Sequence, residues 1–373
     1  MDTSVMHCCS FIDKYIQRRN VMSKYGFLTA IFLIAFAIAF PLMGNSARAE
    51  PTVLRVGNWV PPFHLIPKAI LEPWAEAIEK ESNGTLKFEI MKSSLGRPST
   101  YWDLVVDGTI DVGWGVSGHN TGRFTMTQVM DLPFMSPDPW AGSAAMWLTY
   151  ERYGHLYGEH EGAKVLGLFA HSRPALNMSG EPILKLEDLE DKKIRVGGNM
   201  TGKMISMLGG TPVQLPPTEA QQAMARGVAD GITFPPESVS FFKITPVIDH
   251  VTKIPGGLYT DTFWIAINDD VWKGLSDVQQ QAILKHSGLG IAMLAGWAWT
   301  NGDNLGIAEM KEAGVEFHTL PENEVEKMKE KLHPLVQDWL DEAKSRGLPG
   351  QEIYDYAKEM AHHYRAVRSV NVP

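Results

Sequence analysis

Residues 193–239 read KIRVGGNMTGKMISMLGGTPVQLPPTEAQQAMARGVADGITFPPESV and carry the clearest structural pattern in the chain. Three short apolar segments alternate with two segments of helical character, and glycine or proline punctuates the junctions. This order predicts a strand–helix–strand–helix–strand unit, which is typical of an α/β domain. Arg195 is unusual, because a guanidinium in a half-buried strand needs an anionic partner, either a carboxylate of the protein or a ligand.

The N-terminal region has the features of an export signal. A basic residue, Lys24, precedes an apolar run over residues 26–40, and small residues follow up to Ala49. The run is shorter than the roughly 20 residues that a membrane-spanning helix needs. We expect translation to start at Met22 and a leader, residues 1–49, to be cleaved after Ala49. A retained N-terminal anchor is the alternative.

Charge and cysteine content restrict the classes of function. Cys8 and Cys9 both belong to the predicted leader, so the mature protein has no thiol for a disulfide, a metal site or a nucleophile. The mature segment keeps 29 of the 34 Lys and Arg and 41 of the 43 Asp and Glu, a net charge of −12. This charge argues against nucleic acid and anionic lipid as partners.

The 324 residues after the leader exceed the usual size of a single-core domain, which predicts two lobes. A βαβαβ order is predicted directly after the leader and again at 193–239, and everything after a strand at 262–267 is predicted to be helical. The fold class is therefore α/β, with two lobes, chain crossings between them and long C-terminal helices. We assign residues 50–175 and about 262–300 to lobe I, and residues 176–261 and about 301–373 to lobe II.

Motifs of catalysis are poorly represented. The sequence contains no GxSxG elbow, Walker A loop or HExxH pair. Residues 113–118 match GxGxxG, but no helix is predicted behind them, which disfavours a dinucleotide site. A secreted hydrolase or lyase would need a convergent acid–base pair and none is recognised, so we expect neither an enzyme nor a cofactor. An exported two-lobed chain of this kind fits a solute receptor that closes on a small molecule.

Several short motifs occur in the order of a known family. They are SSLG at 93–96, DGTID at 107–111, DLPF at 131–134, KIRV at 193–196, LGGTPV at 208–213, TE at 218–219 and GVADG at 227–231. Over essentially the whole mature chain, the sequence resembles the substrate-binding subunits of tripartite ATP-independent periplasmic (TRAP) transporters, the dicarboxylate-receptor-like family. The resemblance implies a periplasmic, two-lobed solute-binding fold. It also implies delivery of an organic acid to a membrane permease of one small and one large subunit, without insertion of the receptor itself into the membrane.

The same resemblance implies a ligand-binding arginine. In the family, the arginine at the end of the KIRV-like strand grips the ligand carboxylate, a role that corresponds to Arg195. A planar guanidinium pairs two-to-two with a carboxylate and stays charged at working pH. An ion pair within its own lobe is the alternative. A second arginine often stands upstream in the family, and Arg173 is the candidate, unless it is a surface residue beside Pro174.

Aromatic and apolar residues are expected to form the rest of the pocket. Phe234 stands where relatives that take sialic acid or C4-dicarboxylates tend to carry a polar Asn. The other candidates are Asn58, Trp59, Phe63, Trp114, Val116, Tyr259, Phe263 and Trp264. Phe263 and Trp264 are neighbours on one predicted strand and should face opposite sides.

The character of these candidates indicates the ligand. One strong cation candidate and several rings favour an aromatic or apolar monocarboxylate, or a 2-keto or 2-hydroxy one. A C4-dicarboxylate is the alternative, which Phe234 disfavours and Arg173 supports. No metal is expected. Glu237 is a weak candidate to bind a cation beside the carboxylate, or else it caps the following helix.

Overall fold

Two β-sheets organise the protein. The computed structural model describes residues 50–371 apart from Thr121 and Tyr157, so the predicted leader lies outside the described residues. The strands are β1 (Thr52–Val56), β2 (Leu86–Ile90), β3 (Val112–Val116), β4 (Ala163–Ala170), β5 (Ala175–Met178), β6 (Lys193–Val196), β7 (Thr211–Gln214), β8 (Gly231–Phe234), β9 (His250–Lys253), β10 (Thr262–Asn268) and β11 (Glu316–Thr319). The α-helices are α1 (Glu72–Glu81), α2 (Tyr101–Val106), α3 (Pro139–Tyr153), α4 (Asn199–Met207), α5 (Ala220–Ala225), α6 (Pro236–Phe241), α7 (Asp269–Gly274), α8 (Asp277–His286), α9 (Leu289–Glu312), α10 (Glu322–Ser345) and α11 (Gly350–Asn371). None of these described helices is both long and apolar enough to cross a membrane.

The first sheet has the strand order β2-β1-β3-β10-β4. β1 pairs in parallel with β2 and β3, as the predicted βαβαβ order requires. β10 lies antiparallel between β3 and β4, with Phe263 opposite Val116 and Trp264 opposite Gly115. Every residue of β3 and β10 is buried, which is why both strands lack the polar alternation of a half-exposed strand.

The second sheet has the order β11-β9-β5-β8-β6-β7. β6 pairs in parallel with β7 and β8, so the strand–helix–strand–helix–strand unit predicted at 193–239 is confirmed. The expectation of an entirely helical tail is wrong, because β11 pairs in parallel with β9 at the edge of this sheet. β11 has only four residues, all at least partly exposed, and is therefore too short for a clear strand pattern in the sequence.

The chain passes between the two sheets three times. It leaves the first sheet after β4, returns between β9 and β10, and crosses again between β10 and β11. The first two connections are in contact, because the amide of His171 donates a hydrogen bond to the carbonyl of Asp261 over 3.4 Å. Residues of these connections therefore lie close to strand ends of both sheets.

Long helices pack over both sheets. α9 contacts β4 and α3 on the side of the first sheet, and α6, which follows β8 of the second. Two glycines permit these contacts: a Cβ on Gly296 would lie 2.5 Å from Cα of Trp140, and a Cβ on Gly306 would overlap the carbonyl of Pro236. α11 packs against α3, and α10 packs against α4 and α11. The C-terminal helices thus connect elements that belong to different sheets.

Candidate ligand-binding site

A small cavity lies where strand ends of the two sheets meet. β3 contributes Val116, the connection after β4 contributes His171, and the second sheet contributes Arg195 from β6 and Phe234 from β8. These residues stand at or near the carboxyl ends of their strands, which is where open α/β sheets commonly bind ligands. The cavity volume is about 60 Å³. That volume corresponds to roughly four to six water molecules, so a larger ligand needs the walls to move apart.

Arg195 brings a positive charge into this cavity. The residue is 2% exposed, and its Nε and Nη2 donate to the carbonyl of Leu215 over 3.0 and 2.5 Å. Its Cζ lies 4.6 Å from the ring centroid of Phe234. Burial lowers the pKa of Arg195 to about 10, against the opposing effect of the Asp261 carboxylate, so the group stays protonated at neutral pH. Within the described part of the chain, no carboxylate oxygen lies within 4.0 Å of this guanidinium.

His171 and Asp261 form a hydrogen-bonded pair near Arg195. His171 Nε2 lies 3.2 Å from Asp261 Oδ2. Burial alone would raise the pKa of Asp261, but the hydrogen bond and charge of His171, with the charge of Arg195, hold it below its usual range. A Cβ on Gly197 would lie 3.9 Å from both Asp261 Oδ2 and Arg195 Nη1, so these two groups flank one spot of the wall. The cavity therefore presents an ionised acceptor beside its cation.

Aromatic rings form a stack along the wall that the first sheet provides. The ring centroids of Trp59 and Trp114 lie 4.5 Å apart, and those of Trp114 and Phe263 lie 6.4 Å apart. Phe263 stacks in turn on Phe169 at 5.1 Å. Trp59 and Phe263 line the cavity, and Phe234 lines it from the second sheet. Flat, close-packed rings of this kind suit a planar apolar ligand.

Three buried ring nitrogens at the cavity have no hydrogen-bond partner among the residues that the structure describes. They are Trp59 Nε1, His119 Nδ1 and Trp299 Nε1. Burial lowers the pKa of His119 to about 4, so this imidazole is uncharged at neutral pH. Buried N–H groups normally have a hydrogen-bond partner, and these two indole N–H groups have none among the described residues. They are therefore available to donate to a polar group of a ligand.

Glu237 lies next to the cavity in a cluster that is mostly uncharged at neutral pH. Its Oε2 accepts from Ser238 Oγ over 3.0 Å, and its Oε1 lies 3.8 Å from His64 Nε2. Burial raises the pKa of Glu237 to about 8 despite the Ser238 hydrogen bond, and burial lowers the pKa of His64 to about 3. In the ion-free protein Glu237 therefore holds its proton at pH 7, and a cation would have to displace that proton to bind there.

The structure brings six of the sequence-predicted residues to the cavity wall. They are Trp59, Val116, Arg195, Phe234, Tyr259 and Phe263. The first five belong to the carboxyl ends of strands or to the connections after them, so the topology that the sequence predicts is sufficient to bring these five together.

Three other predicted residues from the first sheet's strand ends lie off the cavity. Trp114 is fully buried and supports Trp59 from behind. Asn58 is buried as well, and its side-chain amide donates to two backbone carbonyls at 2.7 and 3.2 Å, which is a structural role. Phe63 is 71% exposed and packs against Phe241 instead.

Phe263, rather than Trp264, faces the cavity. Consecutive residues of a strand point to opposite faces, and Trp264 packs edge-on against Trp102 with ring centroids 4.9 Å apart. The ring of Trp264 covers Gly115, where an added Cβ would lie 2.5 Å from an indole carbon. Trp264 is therefore a core residue of the first sheet.

Arg173 does not reach the cavity. It is exposed and lies against Gly257, where an added Cβ would be 2.5 Å from Arg173 Cδ. In its place the connections supply His171 and Asp261, two residues that sequence reasoning missed. Their positions in the chain could have indicated them, because His171 directly follows the last residue of β4 and Asp261 directly precedes β10. His119 was missed as well.

This fold and this cleft define a class of protein. The chain belongs to the bacterial extracellular solute-binding proteins, family 7 (DctP), whose family model matches residues 56–342. Proteins of this class serve TRAP transporters: they bind small organic acids outside the cytoplasm and work with permease subunits in the membrane, as receptors rather than enzymes.

Three solved structures of the class are similar to this chain. A TRAP periplasmic solute-binding protein from Bordetella bronchiseptica, with bound (R)- and (S)-mandelate, is 32% identical with a TM-score of 0.81, and the match covers 84% of this chain and 99% of that one. A TRAP solute-binding protein from Rhodoferax ferrireducens T118, with copurified benzoate, is 25% identical with a TM-score of 0.80, covering 85% and 99%. A marine metagenome TRAP solute-binding protein specific for aromatic acids, from an unidentified microbe and with 3-hydroxybenzoate, is 30% identical with a TM-score of 0.80, covering 85% and 99%. The predicted two-lobed solute-binding fold is confirmed by this similarity.

Proposed function

We propose that this protein is the periplasmic receptor of a TRAP transporter for a small aromatic monocarboxylate, such as benzoate or a hydroxylated derivative. The observation that carries the proposal is Arg195, a buried guanidinium inside a small aromatic cavity with no carboxylate oxygen in direct contact among the described residues. A buried charge without a direct ion pair is costly, and a ligand carboxylate lowers that cost when it binds.

The walls and size of the cavity support a single aromatic ring as the body of the ligand. Trp59 and Phe263 offer flat faces from the first sheet, and Phe234 offers another from the second. The small volume of about 60 Å³ disfavours a long chain, and a ring with a carboxylate would fit once the walls move slightly apart.

Asp261 supports a ligand that carries a hydrogen-bond donor besides its carboxylate. The pKa of Asp261 is held below its usual range, so its oxygens accept hydrogen bonds and cannot donate them at neutral pH. A ring hydroxyl, or the 2-hydroxyl of an arylacetic acid, would donate to this carboxylate while the ligand carboxylate pairs with Arg195.

The charges at the cavity disfavour a C4-dicarboxylate, the second candidate. Arg173 lies outside the cavity, which leaves Arg195 as the strong cation among the described lining residues. A second ligand carboxylate would lie near Asp261 and be repelled by it. The ligands of the three similar structures, mandelate, benzoate and 3-hydroxybenzoate, are aromatic monocarboxylates and agree with this preference.

The proposed activity involves binding and release without a chemical step. Residues of both sheets line the cavity, so a movement of the two sheets relative to each other would change its width and control entry and release of a ligand. We propose that the two sheets are the cores of two lobes that move in this way. In the closed, ligand-bound form the receptor would dock on the small and large membrane subunits of its permease.

Calorimetric titration of ligand-free protein tests the proposal. The protein is unfolded in guanidinium chloride, dialysed and refolded first, to remove copurified acids. Benzoate, 3-hydroxybenzoate and mandelate should bind with micromolar or tighter affinity, and succinate and malate should not. Binding of the C4-dicarboxylates alone would overturn the aromatic assignment. A folded protein that binds no acid of the panel would overturn the receptor function.

A further inference from the structure

A second group of side chains with ligand chemistry lies at the edge of the second sheet. β9 and β11 pair there in parallel, with His250 opposite Glu316 and Thr252 opposite His318. Side chains two residues apart on a strand share a face, so His250, Glu316 and His318 project from the same side of this edge. Nothing in the carboxylate site involves these residues.

The three side chains are close enough to share one ion. His250 Nδ1 lies 3.0 Å from His318 Nε2. Glu316 Oε2 lies 3.7 Å from His250 Nδ1 and 3.9 Å from His318 Nε2. The three ligand atoms all lie within 4.8 Å of one another, which is unique among the described His, Cys, Asp and Glu residues.

We propose that His250, Glu316 and His318 bind a divalent transition-metal ion, with Zn²⁺ as the best fit. Zn–N bonds of about 2.0–2.1 Å place two imidazole nitrogens of one ion roughly 2.9–3.4 Å apart, and the observed separation is 3.0 Å. Two imidazoles with one carboxylate form a known catalytic-type Zn²⁺ ligand set, whereas Mg²⁺ and Ca²⁺ prefer oxygen ligands.

The accessibility of the group fits reversible binding from solution. The side chains of His250 and His318 are 19% and 24% exposed, and that of Glu316 is 68% exposed. The Glu316 carboxylate is therefore free to move the roughly 0.5 Å that would bring its oxygen into bonding distance of the ion. A water molecule can occupy the remaining coordination position. In the metal-free protein one imidazole donates to the other, a contact that the ion replaces.

Metal binding has a structural consequence at this edge. The ion would tie β11, the edge strand, to β9 across 68 residues of sequence. Because the two strands are joined only in the folded protein, binding adds to the stability of the folded state. The inference is independent of the identity of the carboxylate ligand, since none of the three residues lines that cavity.

Zn²⁺ binding to untagged, EDTA-treated full-length mature protein tests the inference. Wild type should bind one Zn²⁺ by calorimetry and melt ~2–5 °C higher at a hundredfold excess over Kd, whereas Mg²⁺ should cause no shift. His318→Gln and Glu316→Gln should each weaken Zn²⁺ binding roughly tenfold or more. The double variant His362→Gln/His363→Gln, which alters an exposed pair on α11, should bind Zn²⁺ like wild type.

Two results would overturn the inference. One is the absence of Zn²⁺ binding to the folded wild type. The other is unchanged affinity in Glu316→Gln and His318→Gln, which would place the ion elsewhere. Circular dichroism checks the fold of each variant, and Glu316→Gln is decisive if His318→Gln does not fold, because Glu316 is a largely exposed side chain.

Discussion

The guanidinium of Arg195 lies over the ring of Phe234, with Cζ 4.6 Å from the ring centroid and both residues buried. This cation–π contact and the two hydrogen bonds to Leu215 fix the orientation of the fork. Its Nη1 has no hydrogen-bond partner among the described residues and remains available. A ligand carboxylate would meet a cation that is already positioned, which reduces the entropic cost of binding.

Replacing Arg195 should abolish most of the affinity. In Arg195→Met we expect the Kd for benzoate to rise at least about 30-fold, because removing one partner of a buried charge pair costs roughly 2–5 kcal/mol. The melting temperature of the ligand-free variant should fall only modestly, because the two hydrogen bonds to Leu215 and the cation–π contact are lost but no contact ion pair is. Calorimetry and thermal unfolding measure the two effects. Arg173→Met is the matched control, since Arg173 is exposed and off the cavity; similar affinity in both variants would contradict the assignment.

Asp261 should determine the preference for hydroxylated acids. We expect wild type to bind 3-hydroxybenzoate more tightly than benzoate, and Asp261→Asn to reduce this ratio by about three- to tenfold, the value of roughly one hydrogen bond to a charged group. Competition titrations give the ratio directly. Asp270→Asn changes a carboxylate that is 94% exposed and should leave the ratio unchanged. An identical ratio in wild type and Asp261→Asn would rule out this role.

Glu237 should make stability depend on pH between about 6.5 and 8. Burial raises its pKa from 4.5 to about 8, so the folded protein holds a proton that the unfolded chain has released, and this contribution to stability falls as pH rises. The slope is at most about 1.4 kcal/mol per pH unit. Glu237→Gln cannot ionise and should lose this slope, becoming more stable than wild type at pH 8. Thermal unfolding at pH 6.5, 7.2 and 8.0 measures the difference.

The neighbours of Glu237 titrate mostly below that window. Burial raises the pKa of Asp303 to about 6, so most of its ionisation is complete by about pH 7, and burial lowers the pKa of His64 to about 3. The slope between pH 7.2 and 8.0 therefore reports mainly on Glu237. Glu326→Gln, on the exposed face of α10, serves as a control with the wild-type slope. If Glu237→Gln also keeps that slope, the buried carboxyl is not its source.

Substitutions at two consecutive residues of β10 should affect different properties, one the affinity for the ligand and the other the stability of the fold. Phe263→Leu should weaken benzoate binding about three- to tenfold, because a ring contact of roughly 0.5–1.5 kcal/mol is lost. Trp264→Phe should leave the affinity unchanged and lower the free energy of unfolding by about 1–3 kcal/mol, because it leaves a cavity beside Trp102. Calorimetry and denaturant unfolding test both variants. A loss of affinity in Trp264→Phe alone would reverse the assigned directions of the two side chains.

Strand ends are the part of the site that the sequence predicts well. Arg195 and Phe234 stand near the ends of β6 and β8, in a unit whose alternation of strands and helices is evident from residues 193–239. Because parallel strands place their carboxyl ends at one edge, the convergence of these residues follows from topology. The same holds for Val116 and Trp59 in the first sheet.

Other parts of the site depend on information that no sequence pattern contains. His171 and Asp261 belong to irregular connections, where no periodicity indicates the direction of a side chain. Phe263 and Trp264 must face opposite sides of β10, but only the register against β3, with Gly115 under the larger ring, decides which one faces the cavity. Short strands such as β11 form because a partner strand is available, and the local sequence does not show which segment will be that partner.

Helix α9 fixes the distance between α3 and α6. Gly296 and Gly306 are its two points of close approach, one to the start of α3 and the other to Pro236 at the start of α6. Ten residues separate them, about 15 Å of helix, and Trp299 of the cavity wall lies between. Inserting a single residue would rotate Gly306 by about 100° and replace it at the Pro236 contact with a bulkier side chain. The number of residues between Gly296 and Gly306 therefore sets the separation of the two elements that hold the cleft. This stretch should tolerate substitution of its exposed side chains far better than any change of length.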